Sequence, residues 1–255
     1  MILLSGTAIA QTVSNHNLTC VIPPGGKDPC TSNDLQIVGV FIDAPPCTSC
    51  TPGQTVTYPL KMTIHNGTNS ERTSFALYGT LSSGATISGK SGPIFVCVGP
   101  ITVGSKQTLP GESAAGNQTF AVGTITFTCG QDLTLTNNYL AWTDAAGNTA
   151  DRCTEFSKAT TCASIAPKCG QAASITITGP VVPPTLGGAD PTCTFLTGSI
   201  TLTPTTGSTY SFDGAITYTA YPSGGWTGLT AGSTHTVSEK RSDGCTSPNA
   251  SRTIG

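Results

Sequence analysis

The sequence predicts an all-β protein of tandem Ig-like β-sandwich domains stapled by disulfides, on three observations. Charged residues make up 9% of the 255, against roughly 25% in an ordinary soluble domain. Threonine is the commonest residue instead, and its β-branched side chain suits a pleated, half-wet surface. Thirty glycines and 18 prolines break the chain into short segments, in which apolar residues recur with a period of two rather than 3.6. Eleven cysteines in such a chain argue for an oxidising compartment, placing it outside the cell or on its surface.

The elements follow in order. Residues 1–10 read as the remnant of a signal peptide that starts upstream: a short apolar run ends in Ala8-Ile9-Ala10, an A-x-A cleavage pattern. Residues 11–178 read as a Cys-rich Ig-like sandwich. Leu35–Ile42 is an apolar strand, and Thr55–His65 alternates through Val56, Tyr58, Leu60, Met62 and Ile64, which puts all five on one face. Asn66-Gly67 then predicts a hairpin, with Thr73–Leu81 returning and Phe75, Leu77 and Gly79 sharing a face. Further strands are expected in "PIFVCVG", "QTFAVGTITFTC", "LTLTNNYLAWTD" and "ASITITG", where Trp142 alternates with Leu140 as a core residue. Residues 179–191, with four prolines and three glycines, cannot continue a strand ladder and read as a linker. Residues 192–255 have the size of one small sandwich. Their strands are "GSITLTP", two around the turn dipeptide Asp213-Gly214, "GSTHTVSEKR" and "ASRTI". Glu239, Lys240, Arg241 and Asp243 crowd one strand end and read as solvated charge at a turn.

Cys193 and Cys245 bracket that last domain, and a bridge between them would staple it. Cys20–Cys30, Cys97–Cys129 and Cys153–Cys162 are plausible local pairs, although spacing alone does not fix connectivity. Cys47 and Cys50 form a C-x-x-C. Prolines on both sides prevent the helix start that a redox pair uses, and no second half at zinc spacing exists, so these two are expected in structural disulfides. Eleven is odd, which leaves one thiol, assigned to Cys169, free or paired with another chain.

Chemistry is hard to find. His16, His65 and His235 have no metal-ligand spacing. The 13 carboxylates are scattered, there is no Gly-x-Ser-x-Gly elbow, and the Asp-Gly turns lack the acids of a calcium loop. No catalytic residue, metal or cofactor is expected. The formal net charge of −2, without a Lys/Arg run, argues against nucleic acid. No apolar stretch of about 18 residues predicts a membrane span. Tyr218, Tyr221 and Trp226 lie near one loop and are candidates for stacking on a sugar. Their plainer reading is a Trp lid over the sandwich end.

The motif Tyr210-x-Phe212-Asp213-Gly214, then Gly228-Leu229-x-Ala231-Gly232, Thr236-Val237 and Gly244-Cys245, resembles the SprB-type repeats of Bacteroidota gliding-motility adhesins. Thr234-His235 replaces an aromatic that commonly sits there, and Glu239-Lys240 stands without the usual Asp. The segment "YLAWTDAAGNTADRC" with "CASIAPKCG" is similar to Cys-rich domains that precede such repeats. The resemblance implies type IX secretion to the cell surface and adhesion or scaffold work, with a surface protein or glycan as partner. The chain stops at "SRTIG", where a repeat's last strand would end, and reads as a fragment of a longer adhesin or the product of a truncated gene. The alternatives are a carbohydrate-binding module and a self-associating fibre subunit joined through strand edges or the odd cysteine.

Overall fold

The computed structural model describes residues 12–20, 27–45, 47–68, 70–101, 116–143, 152–166 and 168–255; the expected leader, residues 1–10, lies outside them. The chain divides into two compact units. One comprises Met1–Ala44 and Thr55–Gly179, the other Pro45–Gln54 and Pro180–Gly255. Among the described residues the protein is all-β but for two single-turn helices.

Unit one carries β1 (Thr12–Asn15), β2 (Leu35–Ile42), β3 (Thr55–Asn66), β4 (Phe75–Leu81), β5 (Thr86–Ile87), β6 (Pro93–Val98), β7 (Asn117–Thr128), β8 (Thr134–Trp142), β9 (Cys169–Ala172) and β10 (Ile175–Thr178). Their order is β1-β6-β4-β8-β10-β2-β3-β7-β5, with β9 also paired to β8. Every pairing is antiparallel except β10 with β2, so β10 joins two antiparallel halves. Leu60, Met62 and Ile64 of β3 share one buried cluster with Phe75 and Leu77 of β4, Ile94 and Val96 of β6, and Leu140 and Trp142 of β8. The two halves therefore face each other across a common core, as sandwich layers do. Of the five alternating residues of β3, Val56 and Tyr58 lie at the margin, only partly buried.

The Asn66-Gly67 hairpin does not form. β3 pairs with β2 and β7, whereas β4 pairs with β6 and β8. The link between them crosses from one half to the other. Asn66 is buried and holds the bend itself, its amide donating to Ser70 O at 2.9 Å and its Oδ1 accepting from Thr68 N at 3.0 Å. β4 is apolar on both faces, which requires cover on both and draws it to the middle of its half. Phe75 and Leu77 enter the main core. Ala76 and Tyr78 enter a second cluster with Phe95, Cys97 and Ala141.

That second cluster is covered by a Cys-rich segment with two turns of helix, α1 (Cys153–Phe156) and α2 (Cys162–Ile165). Phe156, Ala159 and Ile165 pack down onto it, and Tyr78 donates its hydroxyl to Phe156 O at 2.6 Å. Burial pushes the Tyr78 phenol well above its ordinary pKa, so it stays a neutral donor.

Unit two has β11 (Gly198–Ile200) paired with β13 (Trp226–Leu229), and a three-stranded sheet of β12 (Thr209–Phe212), β14 (Thr234–Lys240) and β15 (Ala250–Thr253) in the order β12-β14-β15. Ile200, Tyr210, Leu229, Val237 and Ile254 form its core. Asp213 and Gly214 both have positive φ, 52° and 70°, the pattern of the tight turn their dipeptide predicts. The core is small, and a covalent staple supplements it (below).

Candidate functional site

Ten of the eleven cysteines are disulfide-bonded, and the exposed Cys193 is the free one. The bridges with described geometry are Cys20–Cys162, Cys30–Cys169, Cys97–Cys153 and Cys47–Cys245; Cys50 and Cys129 are also oxidised. This corrects the expected pairs. Cys20 does not join Cys30, Cys97 does not join Cys129, and Cys153 does not join Cys162. Short sequence separation misleads because the topology lays distant segments side by side. Thr19 bridges Thr161, which brings Cys20 to Cys162. Ser32 N donates to Cys169 O at 3.0 Å, which brings Cys30 to Cys169. Cys169, expected to be free, is therefore oxidised and fully buried.

Cys245 pairs with Cys47 rather than Cys193. Residues 45–54 belong to unit two, where Ser49 bridges Val181 in parallel. Cys50 N donates to Val181 O at 3.3 Å and Val181 N to Thr48 O at 2.8 Å. The C-x-x-C thus lies on a turn followed by a bridge to Val181, which fixes it to the backbone of unit two. Cys193 sits instead in an exposed turn, beside the exposed Phe195 and Leu196, and stays a thiol. Asp28, Cys30 and Cys162 lie close together, but both cysteines are oxidised and offer no thiolate to a metal.

The three candidate aromatics do not form one platform. Trp226 stacks on Phe212 with centroids 5.0 Å apart and planes at 16°, and Phe212 stacks in turn on His235 at 5.2 Å. Tyr221 meets Trp226 edge-on at 5.4 Å and accepts a hydrogen bond from Leu202 N at 3.1 Å. Trp226 and Tyr221 both pack, partly buried, against the unit-two core. Tyr218 stands apart: its hydroxyl bonds Ser238 Oγ at 3.0 Å, and the Lys240 ammonium lies 5.9 Å from its ring centre. His235 is held between Asp213 Oδ2 and Ser233 Oγ, both at 2.7 Å.

The crowded charges belong to the β14–β15 turn. Arg241 pairs with Asp243, whose Oδ1 also accepts from Cys245 N at 3.0 Å. The Arg241 hydrogen bond holds the Asp243 carboxyl below the usual range. Charge here shapes the corner that presents Cys245 to Cys47. In unit one, Asp34 takes Lys168 at 3.1 Å and the buried Arg72 at 3.4 Å. Burial alone would raise its carboxyl, but the Lys168 hydrogen bond and the two cations outweigh burial and lower it.

No protein-family model matches the sequence, and no curated protein matches it. Among solved structures, the chain is similar to the C-terminal 282-residue fragment of intimin in complex with the intimin-binding domain of the translocated intimin receptor. Identity is 12% and the TM-score 0.25, over 86% of this chain and 64% of that one. A likeness at that score carries no argument for fold, partner or role. No described helix is long and apolar enough to cross a membrane.

Proposed function

We propose that this protein is a non-catalytic structural or adhesion element of the cell surface or extracellular space. The observation that carries the reading is the oxidised cysteine set, ten of eleven, which a reducing cytosol would not sustain. The bridges span long separations, up to 198 residues. Such staples suit a protein that must keep its shape under load, outside the reach of chaperones. The finer reading is an SprB-type repeat of a Bacteroidota adhesin, exported by type IX secretion for gliding or attachment. It rests on the motif from Tyr210 to Cys245. The partner in this reading is another surface protein or a glycan.

The test is surface labelling of intact source cells with a membrane-impermeant biotin reagent, followed by immunoblotting. Recovery of the chain in the labelled fraction is expected. Recovery only after lysis would refute a surface role.

A further inference from the structure

Unit one contains a cavity of about 350 Å³ beside the stapled cap, within the size range of small-ligand sites. Its floor is the outer face of β4 and β8 where their ladder is irregular. Tyr78 lies opposite Tyr139 and Thr80 opposite Thr136, so the register shifts between them. Bulges of this kind re-aim side chains next to binding sites. Asn137 lies in the shifted stretch at φ +52°, in the left-handed region that Asn tolerates better than most residues. A Cβ on Gly79 would fall 2.6 Å from Asn138 Oδ1, so a side chain here would require the Asn138 amide to shift.

The wall is the segment His16–Cys20. Four anchors hold it: His16 N to Pro93 O at 3.2 Å, His16 Nε2 to Ala159 O, Thr19 N to Thr160 O at 2.9 Å, and the Cys20–Cys162 bridge. The His16 ring also lies 5.8 Å from that of Tyr78. The wall is therefore built before any ligand arrives, which lowers the ordering cost of binding.

The lining is polar, aromatic and without a carboxylate, lysine or arginine. Among the described residues, the side chains of Asn17, Thr19, Thr80, Asn137 and Tyr139 make no hydrogen bond to the protein. Neutral amides and hydroxyls thus converge on one space beside aromatic rings. Charged ligands would be desolvated there without a counter-charge. Sugar hydroxyls match such donors and acceptors, and the C–H face of a sugar ring stacks on an aromatic.

The geometry points to a binding site for a neutral saccharide between the His16–Cys20 segment and the β4–β8 bulge. It shares no residue with the aromatic cluster of unit two. It deepens the surface reading by supplying a ligand class, and it rests on that reading only for where the ligand is met.

The experiment uses the full oxidised chain on a printed array of oligosaccharides ending in glucose, galactose, mannose or N-acetylglucosamine. Sialylated and sulfated glycans are printed alongside, and hits are titrated by saturation-transfer NMR. The test variant is Asn17→Ala with Asn137→Gly. Both side chains are exposed and unbonded, and glycine accepts the positive φ, so folding should be unchanged. Trp226→Ala is the control in unit two. Binding of a neutral glycan, weakened about tenfold or more by the double variant and kept by Trp226→Ala, is the expected result. Binding of acidic glycans only, binding indifferent to the double variant, or no binding would overturn the proposal. Because the array is independent of cell labelling, its failure leaves the surface reading standing, and the reverse.

Discussion

Replacing Cys47 and Cys245 together with serine should change how far the protein extends under force, by an amount the covalent map fixes. The bridge closes a separation of 198 residues in a chain of 255. With it intact, only about 57 residues lie on the load path between the two ends; at about 3.5 Å per residue the chain extends to about 200 Å. Without it, the shortest path runs through Cys20–Cys162, whose separation is 142. About 113 residues then bear load and the limit rises to about 400 Å. Full reduction releases the whole chain, to about 900 Å. Single-molecule pulling between handles at both ends reads these three lengths directly. The same variant should lose about 5 kcal/mol of stability on the chain-entropy account of so long a loop. An oxidised wild-type chain that stretches well past about 200 Å, to the about 400 Å expected of the double variant, would refute the Cys47–Cys245 link and the load-bearing role drawn from it.

Other consequences follow from single contacts. Asp34→Asn should leave the buried Arg72 without its carboxylate and cost about 3 kcal/mol, seen as a lower denaturant midpoint at neutral pH. The Asp34 carboxyl is depressed in the fold, so its contribution is full above the unfolded value of about 3.9 and fades as pH falls through the lower folded value. Midpoints measured against pH should show that acid loss in wild type and lack this share of it in Asp34→Asn. Gly225→Ala should destabilise unit two, since φ is +84° and the new Cβ would lie 2.3 Å from Ile200 O; a thermal melt with an unchanged midpoint would contradict this. A thiol titration of the native protein should find one reactive group, abolished by Cys193→Ser.

Strands were legible where alternation met a buried face. Leu35–Ile42 forms as read, and Thr55–His65 needs one residue added at its end. Trp142 and Leu140 sit together in the core, as their spacing of two implies. Pairing was not legible. Asn66-Gly67 carries a hairpin signal, yet the double-sided burial of β4 sends the next strand to the opposite half, and that demand is tertiary. The cysteines show the same limit. Their number reports the compartment, but Cys20–Cys162 and Cys30–Cys169 depend on which segments the sheet lays together. The cap helices are too short to show a 3.6 period. The saccharide cavity draws Asn17, Thr80 and Asn137 from three segments, none of which forms a motif. The bulge opposite Gly79 sets Thr80 beside Asn137, and a lone glycine inside a strand pattern is its trace in the sequence, whereas Asn17 reaches them through the anchored His16–Cys20 segment.

The oxidised cysteine set underlies both the stapled fold and the surface reading, and disulfide mapping by mass spectrometry reads it out. Protein isolated from whole source cells would be alkylated, digested without reductant and sequenced. Linked peptides for Cys20–Cys162, Cys30–Cys169, Cys47–Cys245 and Cys97–Cys153, with Cys193 alone alkylated, are the predicted result. Alkylation throughout the set would contradict it, and would remove both the stapled fold and the surface reading built on it.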